Sequence, residues 1–206
     1  MSAHTTPLPQ RCRAVPLPAD QRRAAIVAAT LPLLHEFGRA VTTKQIAEAA
    51  GIAEGTIFRV FPDKDSLIDA AMQAAFDPSP AIAELDAIPR ELDLAERLRL
   101  AADVLLRRLA SIWQLMSSVG LTKPPSFDPA AKRSEPRPEL LALAELIAHD
   151  ATDLRVDPVA AAQLLWGLTV AANHPTLVFD TPLTPAEIVT VLLDGIRTTT
   201  AHDPRS

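Results

Sequence analysis

Arg59, Lys64 and Gly55 stand close together in the stretch TTKQIAEAAGIAEGTIFRVFPDKDSLI, residues 42–68, and each is suited to meeting a polyanion. The Arg59 guanidinium is a planar fork of donors that fits a phosphate, or guanine bidentately. Lys64 falls in the first turn of a helix for which Asp63 is a good N-cap. The positive end of the helix dipole repels a cation there, and a phosphate alongside would remove that conflict. Gly55 lies within a short helix at a cost of roughly 1 kcal/mol against alanine. Close approach of the backbone to something as bulky as DNA would explain it. The chemistry implied is recognition rather than bond making. The five histidines (4, 35, 149, 174, 202) are scattered, and there is no tyrosine, no phosphate-binding loop and no His-x-x-x-His pair. No catalytic residue, metal ligand or cofactor is therefore assigned.

The elements that must hold these residues are two short helices and the start of a third. Thr42 opens the first with a capping box: its hydroxyl accepts an amide proton three residues on, and Gln45 reaches back to the Thr42 amide. Ile46, Ala47 and Ala50 face inward. Gly51 follows where a helix end needs a left-handed residue, and Ile52 plugs the corner. A second helix is predicted from near Glu54 to about Val60. Ile57 and Phe61, four apart, lie on its buried side, which leaves Glu54, Gly55, Thr56, Phe58 and Arg59 on or near the outer face. Pro62 stops it. The pattern is a helix-turn-helix and makes duplex DNA the first candidate ligand. The plainer alternative is a capped helical hairpin on a solvated face.

Residues 22–68 resemble the DNA-binding domain of the TetR family of transcriptional regulators. Gly38, Thr42, Ile46, Ala47, Ala50, Gly51, Gly55, Thr56, Ile57, Phe58, Phe61 and Lys64 occupy the positions of that family's pattern, over about a quarter of the chain. Two positions depart from it. Phe58 stands where tyrosine is common, without the hydroxyl that would bond a phosphate. Ala53 stands where serine often caps the recognition helix, at a typical cost of ~1 kcal/mol. The resemblance implies that Thr42, Thr43, Lys44, Thr56, Phe58 and Lys64 position the domain on phosphates, and that Glu54, Gly55 and Arg59 lie nearest the base edges. Phosphate contacts orient and base contacts specify. It also implies an all-α protein: an N-terminal helix-turn-helix domain followed by a helical effector-binding and dimerisation domain.

Composition bounds the rest. The chain has 206 residues, 48% hydrophobic, with 19 prolines and a net charge of −5. Residues 1–70 carry eight basic and seven acidic side chains, whereas residues 71–206 carry twelve and eighteen. The acidity therefore lies away from the proposed DNA face, and binding would rest on a few local contacts that strengthen at low salt. Cys12 is the only cysteine, which leaves no internal disulfide and no thiolate metal cluster. No signal peptide and no apolar run long enough to span a bilayer are read, so a cytoplasmic location is expected.

Four segments are predicted: a disordered arm over 1–18, in which Arg11 and Arg13 could reach a minor groove; the DNA-binding domain over 19–68; the effector-binding and dimerisation domain over 69–200; and a tail over 201–206. Asp20 is read as the cap of a first helix to about Phe37, with Ile26, Val27, Leu31, Leu34 and Phe37 as its buried stripe and a kink at Pro32. Lys64 to Phe76 is the helix joining head to body, and Asp77 to Pro80 breaks it. Leu94 to Val119 is a long amphipathic helix on which Glu96, Arg97, Arg107 and Arg108 stay wet. Residues 120–138 form a proline-rich loop, and Glu139 to Leu154 is the next helix. Asp157 and Pro158 open a nearly all-apolar helix to about His174. Thr184, Pro185 and Glu187 open the last, whose stripe is Ile188, Val189, Leu192, Leu193 and Ile196.

In the family the last two long helices build a four-helix dimer interface, and the resemblance assigns Leu164, Leu168, Ile188, Leu192 and Ile196 to it. The alternative is that both helices complete a monomeric core. It also implies a pocket for a small, mainly apolar effector. Gln163, Trp166, Val170 and Asn173 fall on one stripe of the penultimate helix, Trp113 and Met116 could face them, and His149 is a further candidate. Core packing is the competing reading of each. The function expected is a ligand-responsive regulator, most readily a repressor, acting as a homodimer on a palindromic operator. The alternatives are a constitutive DNA-binding protein without an effector and, more weakly, an all-helical enzyme.

Overall fold

The computed structural model describes residues 18–121, 137–175, 177 and 181–197. The arm with Arg11, Cys12 and Arg13, most of the loop read over 120–138 and the tail at 201–206 lie outside the described residues. Among the described residues the chain is all-α: α1 (Ala19–Phe37), α2 (Thr43–Ala49), α3 (Glu54–Ile57), α4 (Lys64–Phe76), α5 (Ser79–Asp86), α6 (Leu94–Ser118), α7 (Pro138–Ala148), α8 (Pro158–Asn173) and α9 (Pro185–Ile196). The only extended pairing among them is an isolated antiparallel bridge between Leu154 and Arg197. None of these helices is long and apolar enough to cross a membrane.

Two apolar cores are formed, and α6 belongs to both. In the body, Leu98, Ala101, Ala102 and Leu105 of α6 pack with Leu143 and Ile147 of α7, Ala161 and Leu165 of α8, and Ile188 and Leu192 of α9. In the head, Ile26 and Leu34 of α1, Ile46 and Ala47 of α2, Ile57 and Phe61, and Leu67, Ile68, Ala71 and Met72 of α4 share one core with Leu115 and Val119 from the far end of α6. The expected boundary at 68/69 thus cuts through α4, whose buried residues on both sides of it share one core.

Helix ends follow local chemistry. Thr42 and Gln45 form the expected capping box, as do Thr184 and Glu187, while Asp63, Asp93 and Asp157 each accept an amide at an N-cap. The α1 helix differs: Pro18, not Asp20, precedes it, and it runs unbroken through Pro32. Phe37 is largely exposed, and Thr30 takes the buried place between Ile26 and Leu34. Its hydroxyl donates to the Ile26 carbonyl at 2.8 Å, so nothing polar is left unpaired.

Helix α5 is not anticipated by the sequence reading, which took the prolines at 78 and 80 as breaks only. A proline in a first helical turn removes an amide that has no partner anyway. Asp77 accepts from the Ser79 amide at 3.1 Å and from the Ser79 hydroxyl at 2.8 Å. These bonds hold its carboxyl below the usual range.

Arg97, expected to be wet, is buried at 2% exposure. Its guanidinium donates to the carbonyls of Arg90 at 2.9 Å and Leu92 at 3.0 Å and pairs with Asp150. It clips the α5–α6 connection to the end of α7. A long stem with five donors can be buried where carbonyls and a carboxylate converge, and that convergence is not visible in helical periodicity.

Candidate nucleic-acid interface

The reading edge is assembled from three helix starts. Gly51 has φ 65°, the left-handed turn that lets α2 fold back towards α3. Its neighbour Ile52 donates its amide to the Ala47 carbonyl at 2.9 Å. Ile57 and Phe61 are buried and hold α3 against the head. The regular part of α3 ends at Ile57, short of the expected Val60, and a looser turn continues through the Val60 and Phe61 amides, both donating to the Ile57 carbonyl at 2.9 Å. With no side-chain cap at Ala53, α3 begins unsupported on that side.

The surface left by this packing carries most of the anticipated residues. Thr42, Lys44, Glu54, Gly55 and Arg59 are exposed, Phe58 is 50% exposed, and Thr43, Thr56 and Lys64 are half-buried. A Cβ placed on Gly55 meets nothing within 4 Å, so packing within the chain does not demand glycine there.

The hydrogen bonds sort these residues by what each can still donate. Thr42 uses its hydroxyl proton on the Gln45 carbonyl oxygen at 2.8 Å. Thr43 donates its own to Glu54 Oε1 at 2.5 Å, across the turn. A hydroxyl has one proton to give, and a phosphate only accepts. In this arrangement neither threonine side chain offers a phosphate a donor. Lys64 differs from expectation in another way. Its ammonium donates to the carbonyls of Arg39 and Val41, each at 2.9 Å, and so ties the start of α4 to the turn after α1. The electrostatic conflict in its helix's first turn is answered inside the chain, and one ammonium proton remains. Among the described residues no hydrogen bond engages the side chains of Lys44, Arg59 or Thr56. The Thr43–Glu54 pair was not foreseen: eleven residues separate the two, and no local pattern announces it.

The body candidates are distributed rather than gathered. Trp113 meets His174 edge-to-face, with ring centres 4.8 Å apart. Its indole Nε1–H is buried with no acceptor among the described residues. Met116 is buried on the same face of α6, and Asn173 donates to the Leu106 carbonyl at 3.0 Å, which ties α8 to α6. Val170 and Trp166 are half-buried, the latter beneath Arg137 at 5.6 Å, and Gln163 is exposed. His149 stands apart, in an open cleft of about 580 Å³ with Arg90, Glu91, Arg97, Glu145 and Leu146. Arg97 precedes Trp113 by sixteen residues, roughly 24 Å along the helix, so His149 does not share a wall with Trp113.

Ile188, Leu192 and Ile196 are buried in the protomer's own core, and their side chains are already covered. Leu168 is half-buried against that core. What stays outside is Leu164 at 45% and, on the opposite side of α9, Val191 at 55% exposure.

The structure joins a helix-turn-helix head to an all-helical body. Residues 26–71 match the sequence pattern of the family described as bacterial regulatory proteins, tetR family. Three solved structures share the fold. One, from Mesorhizobium loti and assigned to the TetR family of transcriptional regulators, is 16% identical, with a TM-score of 0.59, over 89% of this chain and 100% of that one. A TetR transcriptional regulator from Agrobacterium tumefaciens is 22% identical, with a TM-score of 0.54, over 86% and 95%. A TetR-family regulator from Haemophilus influenzae is 18% identical, with a TM-score of 0.55, over 87% and 98%. The family's sequence pattern thus covers residues 26–71 of this chain, and the solved structures show the all-helical fold that it shares with them.

Proposed function

We propose that this protein is a homodimeric repressor in the cytoplasm that binds a palindromic operator and leaves it when a small, mainly apolar molecule occupies the body. The observation that carries the reading is the exposed α2–α3 edge: Ile46, Ala47, Ile57 and Phe61 are buried in the head, Lys44, Gly55 and Arg59 are exposed with Thr56 half-buried beside them, and the space around Gly55 is open. Lys44, Thr56 and the remaining Lys64 proton act on phosphates; Glu54, Gly55 and Arg59 sit nearest the bases; Thr42 and Phe58 shape the edge. The arm over 1–18 and the tail over 201–206 flank a head of 19–68, extended along α4, and a body that binds the effector and the second copy.

The outer faces of α8 and α9, with Leu164 and Val191 among small residues such as Gly167, Ala171 and Gly195, support pairing of two bodies. Two heads then meet half-sites one DNA turn apart, or a multiple of it. The Trp113 indole, buried with no acceptor among the described residues, supports an apolar effector with one acceptor group. Occupancy there bears on α6, and α6 reaches the head directly. The Ser118 hydroxyl stands 2.9 Å from the Gln114 carbonyl of its own helix and 3.1 Å from the His35 carbonyl, with one proton for the two, and Arg108 donates to the Phe76 carbonyl at 3.0 Å. An effector shifts the heads only by its differential affinity for the two arrangements.

The test is an operator titration across salt with a Lys44→Ala, Arg59→Ala double variant. Each lost phosphate contact lowers the salt slope by about 1, and melting stays unchanged. A double variant with wild-type affinity and slope would overturn the DNA face. A Leu164→Glu, Val191→Glu variant sedimenting as a monomer supports the pairing; one that remains a dimer refutes it.

A further inference from the structure

Glu54 is a carboxylate on the face that meets a polyanion, and it is held in place. It is the first residue of α3 and exposed. Thr43, the first residue of α2, donates its hydroxyl to Glu54 Oε1. Among the described residues no hydrogen bond engages the second oxygen, Oε2. In a helix-turn-helix the N-terminal residues of the second helix contact base edges, so Glu54 stands where sequence is read. A carboxylate there has acceptors only. Guanine O6 and N7 and thymine O4 would face it lone pair to lone pair. Adenine presents its N6 amine beside the N7 acceptor. Cytosine presents an N4 amine with no acceptor of its own beside it in the major groove.

We propose that Glu54 reads the N4 amine of a cytosine in each operator half-site, and that Thr43 is the residue that positions it. The inference rests on the DNA-binding reading above. Thr43 occupies one oxygen and limits the carboxylate's rotamers, so Oε2 is presented without the loss of side-chain freedom that an unrestrained glutamate suffers on docking. The arrangement also explains why a threonine at the start of α2 gives its proton to a neighbouring side chain instead of a phosphate. A simple dipole role for Glu54 at its helix start would need no such partner.

The experiment selects duplexes from a random pool with full-length wild type and with Glu54→Gln, Glu54→Ala, Thr43→Val and Thr43→Ser. Wild type is expected to enrich a two-fold symmetric site in which one position per half-site favours cytosine roughly tenfold. Glu54→Gln moves that position to adenine, since a carboxamide pairs with N6 and N7, and Glu54→Ala erases the preference. Thr43→Val keeps the site but weakens the cytosine preference several-fold; Thr43→Ser restores it. Affinity for a non-cognate duplex at low salt, which reports phosphate contacts, stays within about twofold for Thr43→Val and Thr43→Ser. The assignment of Glu54 is overturned if Glu54→Gln and Glu54→Ala recover the wild-type site unchanged. The role of Thr43 is overturned if Thr43→Val keeps the full preference or Thr43→Ser fails to restore it. A wild-type protein that enriches no duplex overturns the DNA-binding reading and this inference together, an outcome distinct from an unchanged site in the variants.

Discussion

In the head, polar ties cluster at the ends of helices around the short α2 and α3. Gln45 caps α2 through Thr42, Asp63 accepts from Ser66, Lys64 donates to two carbonyls after α1, and Thr43 reaches Glu54. In the body, helices lie side by side, and the apolar faces of α6 to α9 hold most of the structure. Its principal buried polar tie is Arg97 with Asp150. The contrast separates two duties. Polar ties fix angles between helix ends to within a hydrogen bond, as a surface matched to a DNA groove requires. Apolar faces tolerate small shifts between helices, which suits a region that must accommodate a ligand.

The largest test of this contrast lies where the two regions touch. Gly38 has φ 55°, and a Cβ built there stands 2.0 Å from the Ser118 carbonyl oxygen of α6. Both the backbone conformation and the space forbid a side chain, so Gly38→Val is expected to destabilise by roughly 3 kcal/mol or more. Urea melts followed at both tryptophans would register it, and a variant as stable as wild type would mean that head and body do not meet there. Next comes Arg97→Met, which leaves Asp150 and two carbonyls without their donor. The expected loss is roughly 2–3 kcal/mol, at or below the low end for broken buried pairs because Asp150 is 23% exposed and rehydrates. Adding Asp150→Leu should return part of it. Lys64→Met removes two charge-assisted bonds in the head and should lower stability by about 1.5 kcal/mol. Operator affinity would fall more than that loss explains if the remaining ammonium proton also meets a phosphate.

The smallest effect is electrostatic. The Thr184 amide and hydroxyl hold Glu187 below the ordinary carboxylate range. A depressed carboxyl adds stability that is fully present above its unfolded value, near pH 4.5, and is lost as pH falls through the lower folded value. Glu187→Gln should therefore flatten the acid side of a melting-temperature profile and lower the melting temperature slightly at neutral pH, where the carboxylate's contribution is fully present. An unaltered acid limb would show that the α9 cap does not titrate with folding.

Much of the head was legible because its determinants are local. Thr42 and Gln45, Gly51, Ile57 with Phe61, and Asp63 each act within four residues, and the extent of α4 followed from them. The long helices of the body were equally plain in their spacing. What stayed hidden depends on distant partners. Lys64 looked unpaired because the carbonyls it meets lie 23 and 25 residues earlier. Arg97 looked solvated because Asp150 is 53 residues away. Periodicity shows that Ile188, Leu192 and Ile196 share a face but not whose core that face enters; the structure turns it inward and leaves Val191 outside. Helix α5 was hidden because its opening prolines carry the same signal as a chain break.

Leu115 and Val119 give the protein's two halves a common structural member. A fragment ending at Phe76 would carry every residue assigned to the reading edge and still lack two side chains of the head's core, leaving an apolar hollow open to water. Transplanting this DNA specificity onto another regulator therefore requires moving the last turns of the long helix as well, so that the graft brings its own foundation.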